Sequence, residues 1–355
     1  MPSFDNARIL VVGGAGFVGS NLVRSLLNQN PKQIIIVDNL LSAEEENIPG
    51  DSRVVFHHNS ITDEGLLKRL PSNFDYIFHL ATFHGNQNSM ANPLADHANN
   101  TFTTLRLYEW ARSQSQLKKI VYSSAGCTIA EKTFGKAKAT TEAGPVPLDL
   151  DTPYQMSKVF GEFYSIYYYK QKGLPIVRAR FQNVYGPGEI LGAGEWRGTD
   201  ATVWRNVTPS LIYRSIKGMP LTVDGKGEAT RDFIYVKDIA QGLERCALTP
   251  KTEGDVFNLA SGNQTSILSL AKTINALTGS KAPIQFRPRR GWDHSGKRYG
   301  SPVKSQKILK FKASTPFREG LQKTVEWTIE NLPLIERNIK KHEPAMKQQP
   351  VLAVV

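Results

Sequence analysis

The chain has 355 residues, 40% of them hydrophobic, and its 44 Lys and Arg against 32 Asp and Glu give a formal net charge of +12 at pH 7. The length and the hydrophobic content are enough for a sizeable core, in two domains or one large α/β unit. No apolar run reaches the ~18 residues of a membrane span, no signal peptide pattern is present, and Cys127 and Cys246 form neither a disulfide framework nor a metal-ligand cluster. We therefore expect a cytoplasmic protein with no membrane partner and no metal.

The first predicted strand leads directly into a glycine-rich turn. Residues 7–12 (ARILVV) are followed by GGAGFVG and the helical pattern SNLVRSLLNQ. In such a turn Gly13 permits the sharp bend, Gly16 the approach of a pyrophosphate and Gly19 the packing of helix on strand. The next apolar strand, QIIIVD, ends at Asp38, whose carboxylate can accept hydrogen bonds from an adenosine ribose and would repel a 2′-phosphate. The pattern predicts a dinucleotide site and favours NAD over NADP.

Strand and helix signals then alternate up to about residue 180. FDYIFHLAT, KKIVYSSA and PIVRARFQNVYGP read as strands, and NNTFTTLRLYEWARS reads as a helix between them. Such alternation predicts an α/β fold with a doubly wound parallel sheet and ligands at the carboxyl ends of its strands. Beyond residue 187 the alternation of strands and helices is lost. The sequence there predicts a smaller, interleaved α/β region, with a helix at TPSLIYRSIKG and short strands at PLTV, RDFIYV and VFNLA.

Tyr154 and Lys158 lie four residues apart in TPYQMSKVFGEFY, which places them on one face of a helix. Thr152 and Pro153 suit the N-cap and first turn of that helix. A free phenol titrates near ~10, so a base that works near pH 7 needs about 4 kcal/mol of phenolate stabilisation, which the Lys158 ammonium and a cationic cofactor can supply. The pattern predicts a proton-transfer pair, although solvated helices also carry this spacing.

The positive charge is concentrated near the end of the chain. From Arg287 to Arg318 there are ten Lys and Arg against one acid, Asp293. Basic runs are commonly solvated faces, and nucleic-acid binding would show interleaved aromatic residues or a recognisable module. Because this run follows a dinucleotide site, we expect it to attract a diphosphate-bearing substrate, with Arg298 as the preferred phosphate ligand, and not a nucleic acid.

Taken together, GGAGFVGS, Asp38, FHLAT, VYSSA, the YxxxK pair, RFQNVYGP and RDFIYV resemble the extended short-chain dehydrogenase/reductase family. The similarity covers roughly residues 7–332 and lies with its nucleotide-sugar epimerases and dehydratases, such as UDP-glucose and UDP-glucuronate 4-epimerases. It implies a Rossmann domain with NAD over residues 1–186, to which the chain returns around 232–260. It further implies a domain for a nucleoside-diphosphate sugar over 187–337 and a homodimer. Residues 338–355 are expected to form a flexible tail.

The resemblance also implies roles for particular residues. Tyr154 would remove a sugar hydroxyl proton, and Lys158 would hold the nicotinamide ribose and lower the pKa of Tyr154. Substrate contacts would come from Asn183, Asn206, Arg231 and Arg298, each of which could instead be structural. Cofactor contacts would come from Gly13, Gly16, Phe17, Val18, Gly19, Asp38, Asn39, Ser60, Ile61, Leu80, Ala81, His84, Asn100, Ser123, Tyr154 and Lys158.

The sequence departs from the family pattern where a Ser or Thr normally shares a proton with the catalytic tyrosine. A gapless reading places Ala125 there, so Ser124 or Thr128 is expected to supply the hydroxyl. Two positions later, Cys127 stands where dehydratases carry a Glu and where some related epimerases use a cysteine as acid and base. A thiolate there could deprotonate a carbon beside a ketone, but Cys127 could equally be a small buried hydrophobe.

These observations favour NAD-dependent epimerisation of a nucleotide sugar at C4, with the segment EILGAGEWRGTDATVWRN as a lid over a roomy pocket. The alternatives are a 4,6-dehydratase, a 3,5-epimerase-type enzyme that uses Cys127, and a catalytically silent NAD-binding regulator. Four further arginines leave room for a carboxylated sugar: Arg180, Arg197, Arg205 and Arg289.

Overall fold

The computed structural model describes residues 2–126, 130, 133–294 and 296–348. The strands are β1 (Arg8–Val12), β2 (Gln33–Asp38), β3 (Val54–His58), β4 (Tyr76–His79), β5 (Lys119–Ala125), β6 (Ala139–Thr140), β7 (Ile176–Phe181), β8 (Asn183–Tyr185), β9 (Leu221–Asp224), β10 (Thr230–Arg231), β11 (Phe233–Tyr235), β12 (Val256–Leu259), β13 (Thr265–Ser266), β14 (Ile284–Arg287) and β15 (Tyr299–Gly300). The α-helices are α1 (Phe17–Leu27), α2 (Glu64–Arg69), α3 (Asn86–Ala91), α4 (Pro93–Asp96), α5 (Thr103–Ala111), α6 (Pro153–Lys172), α7 (Val207–Ile216), α8 (Val236–Leu248), α9 (Ile267–Thr278), α10 (Val303–Ile308), α11 (Phe317–Glu330), α12 (Leu332–Lys340) and α13 (Glu343–Gln348).

Seven of these strands form one parallel sheet in the order β12-β7-β5-β4-β1-β2-β3. The order reverses between β1 and β4, which leaves a crevice at their carboxyl ends, where doubly wound sheets bind ligands. The predicted fold class is therefore confirmed. Strand β12 brings the chain back to this sheet beside β7 after the second region has been built.

Both faces of the sheet are covered, which explains why its strands are continuous apolar runs. Along β1, Ile9 and Val11 face one hydrophobic cluster, together with residues of α1 and α8. Leu10 and Val12 face the opposite cluster, with residues of α2, α5 and α6. The period-2 alternation of a strand thus gives each layer of helices its own core.

Helix α6 begins as its sequence predicts. Thr152 is the N-cap and its hydroxyl accepts a hydrogen bond from the Gln155 amide, with Pro153 in the first turn. The helix ends twenty residues later at Gly173, which adopts the left-handed conformation with φ 71°. Tyr154 and Lys158 therefore lie in the first two turns, beside the carboxyl edge of the sheet.

The second region has its own core, formed by α7, α9 and α11 against β8, β9 and β11. The prediction of a flexible tail from residue 338 is wrong up to residue 348, because α12 and α13 occupy this part. Asn338 is buried, and His342 Nε2 lies 2.9 Å from the Gly192 carbonyl oxygen. The polar composition hides an apolar pair, Ile335 and Ile339, four residues apart on the packed face of α12. None of the helices in the described ranges is both long and apolar enough to cross a bilayer.

Candidate functional site

A cleft of about 1050 Å³ opens at the carboxyl ends of the central strands, between the sheet and the second region. All the predicted cofactor residues except Asn100 line it, as do the four predicted substrate residues and Ser124. Cys127 and Thr128 lie outside the described residues. Glu189 and Trp204, which belong to the predicted lid segment, line it as well. Sequence reasoning missed several other lining residues: Gln182, Arg214, Arg287, Arg290 and Trp292.

The glycine turn has the shape that a pyrophosphate needs. Gly13 has φ +87°, and a Cβ there would lie 2.4 Å from the Ala81 nitrogen. A Cβ on Gly19 would lie 2.1 Å from the Gly13 oxygen, so neither position admits a side chain. Gly16 is the N-cap of α1 and has no side-chain cap, which leaves the first amides of the helix open to an anion. These backbone features fit a dinucleotide.

Asp38 stands at the end of β2 and supports the turn. Its two carboxylate oxygens accept hydrogen bonds from the Ala15 and Leu40 amides, each at 3.0 Å. Burial raises the pKa of Asp38, and these amides oppose that shift. The carboxylate lines the cleft, where it can accept a hydrogen bond from a ribose hydroxyl. Asn39, Ser60 and Ile61 line the cleft as well.

Tyr154 and Lys158 meet at the cleft wall. The Lys158 ammonium lies 5.9 Å from the centroid of the Tyr154 ring and donates a hydrogen bond of 3.0 Å to the Ser123 carbonyl oxygen. That bond fixes the ammonium to the end of β5, and the Tyr154 amide donates to Ser89 Oγ at 2.6 Å. The Lys158 ammonium is thus fixed by the sheet, and the backbone of Tyr154 is fixed by α3.

His84 packs against Tyr154, with ring centroids 5.8 Å apart. Burial lowers the pKa of His84 to about 3, and the charges of Arg205, Arg197 and Lys158 act in the same direction. The imidazole is therefore neutral at physiological pH and adds no positive charge beside Tyr154.

Asn100 does not line the cleft. It lies in a π-helical segment, His97–Phe102, where its side-chain oxygen accepts from the Phe83 amide at 2.7 Å. Its side-chain nitrogen donates to Asp96 at 2.9 Å and to Ser157 at 3.2 Å. Asn100 thus ties the segment that carries His84 to α6, and acts on the cleft through its neighbours.

The Ser124 side chain is engaged by a residue of α6, the helix that carries Tyr154 and Lys158. Its hydroxyl donates to Glu162 Oε1 at 2.6 Å, and Glu162 also receives two hydrogen bonds of 2.7 Å from Arg180. All three side chains are buried. Arg180 therefore belongs to a buried ion pair under the cleft floor, and Ser124 is part of that network as well as of the lining.

The opposite part of the cleft is rich in arginine. Arg231 donates to the Gly296 carbonyl oxygen at 2.6 Å and lies 3.8 Å from Asp293. Arg298 lines the same part, with Arg214, Arg287 and Arg290. The Arg289 guanidinium instead stacks on Phe134, with its Cζ 3.9 Å from the ring centroid, and does not line the cleft. This clustering of guanidinium groups suits a diphosphate.

Glu189 is a site residue whose contact with Asn206 the sequence did not reveal. It is buried at the cleft wall and accepts a hydrogen bond from Asn206 Nδ2. Asn206 is the N-cap of α7, but its side chain does not cap the helix. Glu189 instead accepts a hydrogen bond from the side-chain amide of Asn206, which fixes the orientation of this side chain in the cleft.

We expect Glu189→Gln to stabilise the protein at pH 8 but not at pH 4. Burial raises the pKa of Glu189 from 4.5 to about 7. Between these values the folded state binds more protons than the unfolded state, so this carboxyl lowers stability as pH rises through that window. The variant should gain at most about 3 kcal/mol above pH 7. Thermal melting of both proteins from pH 4 to pH 8 tests this, and a pH-independent difference would contradict it.

The parallel sheet, the glycine turn at its switch point and the Tyr154–Lys158 pair define a protein of the Rossmann class. The model of the NAD dependent epimerase/dehydratase family matches residues 9–260, and the chain belongs to that family. This confirms the resemblance seen in the sequence.

Relatives of known structure extend over the whole chain. WbmF of Bordetella bronchiseptica, crystallised with NAD+ and UDP, is 53% identical, covers 98% of this chain and 99% of its own, and has a TM-score of 0.88. The UDP-glucose 4-epimerase of Thermotoga maritima, crystallised with UDP-glucose, is 29% identical over 92% of this chain and 99% of its own, with a TM-score of 0.82. The chain is also similar to UDP-glucuronic acid decarboxylase 1 of Xenopus tropicalis, at 28% identity over 96% of this chain and 77% of that protein.

Proposed function

We propose that the protein is an NAD-dependent epimerase of nucleoside-diphosphate sugars, and that it inverts C4 through a transient 4-keto sugar. The observation that carries this proposal is that one cleft contains the glycine turn with Asp38, the Tyr154–Lys158 pair and the arginines around Arg231. A dinucleotide on the turn and a diphosphate on the arginines would meet beside Tyr154. WbmF, which is similar over nearly its whole length, has been crystallised with NAD+ and UDP together.

The chain's own residues would perform the proton transfer. Tyr154 removes the proton from the C4 hydroxyl and later returns it, while Lys158 holds a positive charge that favours the ionised phenol. Bound NAD supplies the chemistry of accepting a hydride from the sugar carbon and giving it back. Asn183, Asn206, Arg231 and Arg298 bind the nucleotide and its diphosphate in this proposal. The open cleft leaves room for the sugar to turn over between the two transfers.

The substrate and reaction are tested by incubating the protein with UDP-, GDP-, CDP- and dTDP-sugars in deuterated water and following the products by NMR. We expect interconversion of two C4 epimers without deuterium in the product. Accumulation of a 4-keto sugar without the epimer would identify a 4,6-dehydratase instead. Deuterium at C3 or C5 would identify carbon-acid chemistry of the kind expected for Cys127.

We also propose that the protein forms a homodimer through α6. Four large apolar side chains, Met156, Phe160, Phe163 and Tyr167, follow one another at helical spacing and are 41%, 51%, 50% and 47% exposed. A continuous apolar stripe of this kind on an otherwise polar surface is typical of an interface. The stripe lies on the same helix as the catalytic pair, but faces away from the cleft.

The double variant Phe160→Glu, Phe163→Glu is expected to be monomeric, because two buried carboxylates would face their copies across the proposed two-fold axis. Light scattering on the eluted peak should give 39.5 kDa for the variant and twice that mass for the wild type. Phe286→Glu is the control, since Phe286 is 54% exposed but lies on β14. A wild-type mass of one chain would refute the homodimer.

We place the protein in the cytoplasm, where NAD and nucleotide sugars are both available. Its product would be a glycosyl donor, so we further propose a role in supplying polysaccharide biosynthesis. The division into an NAD-binding domain over 1–186 and a sugar-nucleotide domain over 187–337 accompanies this proposal. Cofractionation of the native protein and the sugar composition of cells that lack it test the first two points.

A further inference from the structure

Residues 189–205, here called the strap, connect the two chain segments that flank the glycine turn. In the sheet, β1 lies between β2 and β4, so the segments that follow β2 and β4 flank the turn that follows β1. The strap is hydrogen-bonded to both flanking segments. After β2, the Glu195 amide donates to the Leu41 carbonyl at 3.1 Å and the Gly194 amide to Glu44 Oε1 at 2.9 Å. After β4, Thr199 Oγ1 donates to Asn88 Oδ1 at 2.6 Å.

The strap carries two arginines into this position. Arg205 lines the cleft, and two of its N–H groups donate to the carbonyl oxygens of Ser42 at 3.0 Å and Ile190 at 3.1 Å. Arg197 is buried behind it and donates to Ser42 Oγ at 2.7 Å and to the His84 carbonyl at 3.3 Å. Its Nε is buried without a hydrogen-bond partner among the described residues. Two cations are thus held together on the side of the cleft that faces the turn.

Their charge is only partly balanced by the two acids nearby, Glu189 and Glu44. Glu44 is shared with Lys341, and burial favours the neutral form of Glu189 by raising its pKa to about 7. Burial lowers the pKa of Arg197 to about 9, and the like charge of Arg205 acts in the same direction. An excess of cations over acids favours an anion in the cleft, and the glycine turn supplies amides and a helix dipole, but no full charge.

We propose that Arg205 binds the diphosphate of the dinucleotide from the side opposite the glycine turn, and that the strap must open before the cofactor can leave. Arg197 is a positioning residue, since it holds Ser42 and the His84 carbonyl. This assigns the strap to cofactor retention, separate from the arginines around Arg231 that would receive the substrate. The inference rests on the proposed function only in that the dinucleotide is NAD. An enzyme that returns the same hydride benefits from a cofactor that does not exchange between the two transfers.

The test compares NADH release from the wild type, Arg205→Ala and Arg205→Lys, with no sugar present. NADH fluorescence is followed after addition of excess NAD, and the nucleotide copurifying with each protein is quantified after denaturation. We expect release from Arg205→Ala to be at least about tenfold faster, which corresponds to about 1.4 kcal/mol, with Arg205→Lys in between. Arg112→Ala, an exposed arginine paired with Glu109 on α5, is the control and should release NADH like the wild type.

A second pair of variants tests the strap without removing its cations. Glu44→Ala removes the acceptor of the Gly194 amide, and should speed NADH release and NADH binding together. Lys341→Ala breaks only the ion pair to Glu44 and should change neither rate. Wild-type release rates in both Arg205→Ala and Glu44→Ala would overturn the proposal, as would a variant Arg205→Ala that raises only the KM for the nucleotide sugar. Should Arg205→Ala fail to fold, Arg205→Lys and Glu44→Ala decide the outcome. A wild type that retains NADH but converts no sugar would refute the epimerase and leave this inference standing.

Discussion

Tyr154→Phe is expected to lower kcat by about 10³-fold while NAD remains bound, because loss of a positioned acid and base costs about 10²–10⁴-fold. The substitution removes only the phenolic oxygen. The backbone contact of Tyr154 to Ser89 and the contact of its ring with His84 both survive. Turnover by NMR and the amount of bound NAD, measured on the same preparation, separate the loss of chemistry from a loss of cofactor.

Tyr169→Phe is the matched control, since Tyr169 lies on the same helix but outside the cleft lining. It should have wild-type activity. If Tyr154→Phe retained most of the activity, Tyr154 would not be the acid and base. If the wild type bound NAD but converted no sugar, and Tyr154→Phe performed normally in the cell, the protein would be a silent NAD-binding regulator.

Gly19→Ala is expected to abolish retention of NAD and to destabilise the protein by about 3 kcal/mol or more, as overpacking of a rigid contact does. The added Cβ would lie 2.1 Å from the Gly13 carbonyl oxygen, a backbone atom that cannot rotate away. The turn must therefore shift, and the amides at the start of α1 move with it. Copurifying nucleotide and the melting temperature measure the two effects.

Gly50→Ala provides the comparison, because nothing lies within 4 Å of a Cβ built at Gly50. This variant should retain NAD and melt within a degree or two of the wild type. Full NAD occupancy in Gly19→Ala would show that the turn tolerates a methyl group and does not hold the pyrophosphate as closely as proposed.

Features encoded over short distances could be predicted from the sequence. The apolar runs of β1 and β2, the glycines between them and the Thr152–Pro153 start of α6 each depend on neighbouring residues. The position of Asp38 follows from strand length alone. The doubly wound parallel sheet could be predicted because strands and helices alternate along the chain. Most residues on the cofactor side of the candidate site could therefore be predicted from the sequence.

Features that depend on distant segments could not be predicted. Glu189 becomes part of the site because Asn206, at the start of α7, can reach it. Asn100 lies in a π-helical segment and contacts Phe83, Asp96 and Ser157 instead of lining the cleft. Ser124 is expected to replace the hydroxyl that is missing at Ala125, but its own hydroxyl is engaged by Glu162 on the neighbouring helix. The strap could be predicted as a lid from its glycine-rich segment, but not its contacts, since the segments it binds lie more than a hundred residues away in the chain.

The packing of α12 on the strap links the end of the chain to its beginning. Gly192 has φ +71°, and a Cβ there would lie 2.6 Å from the Asn338 carbonyl oxygen. The strap also contacts the loop at Leu41. Three segments that are remote in sequence therefore share one interface. A side chain at Gly192 would push α12 away from the strap and disturb the strap's hydrogen bonds to the segment after β2. The last helices of the described chain thus brace a loop that lies far from them in sequence.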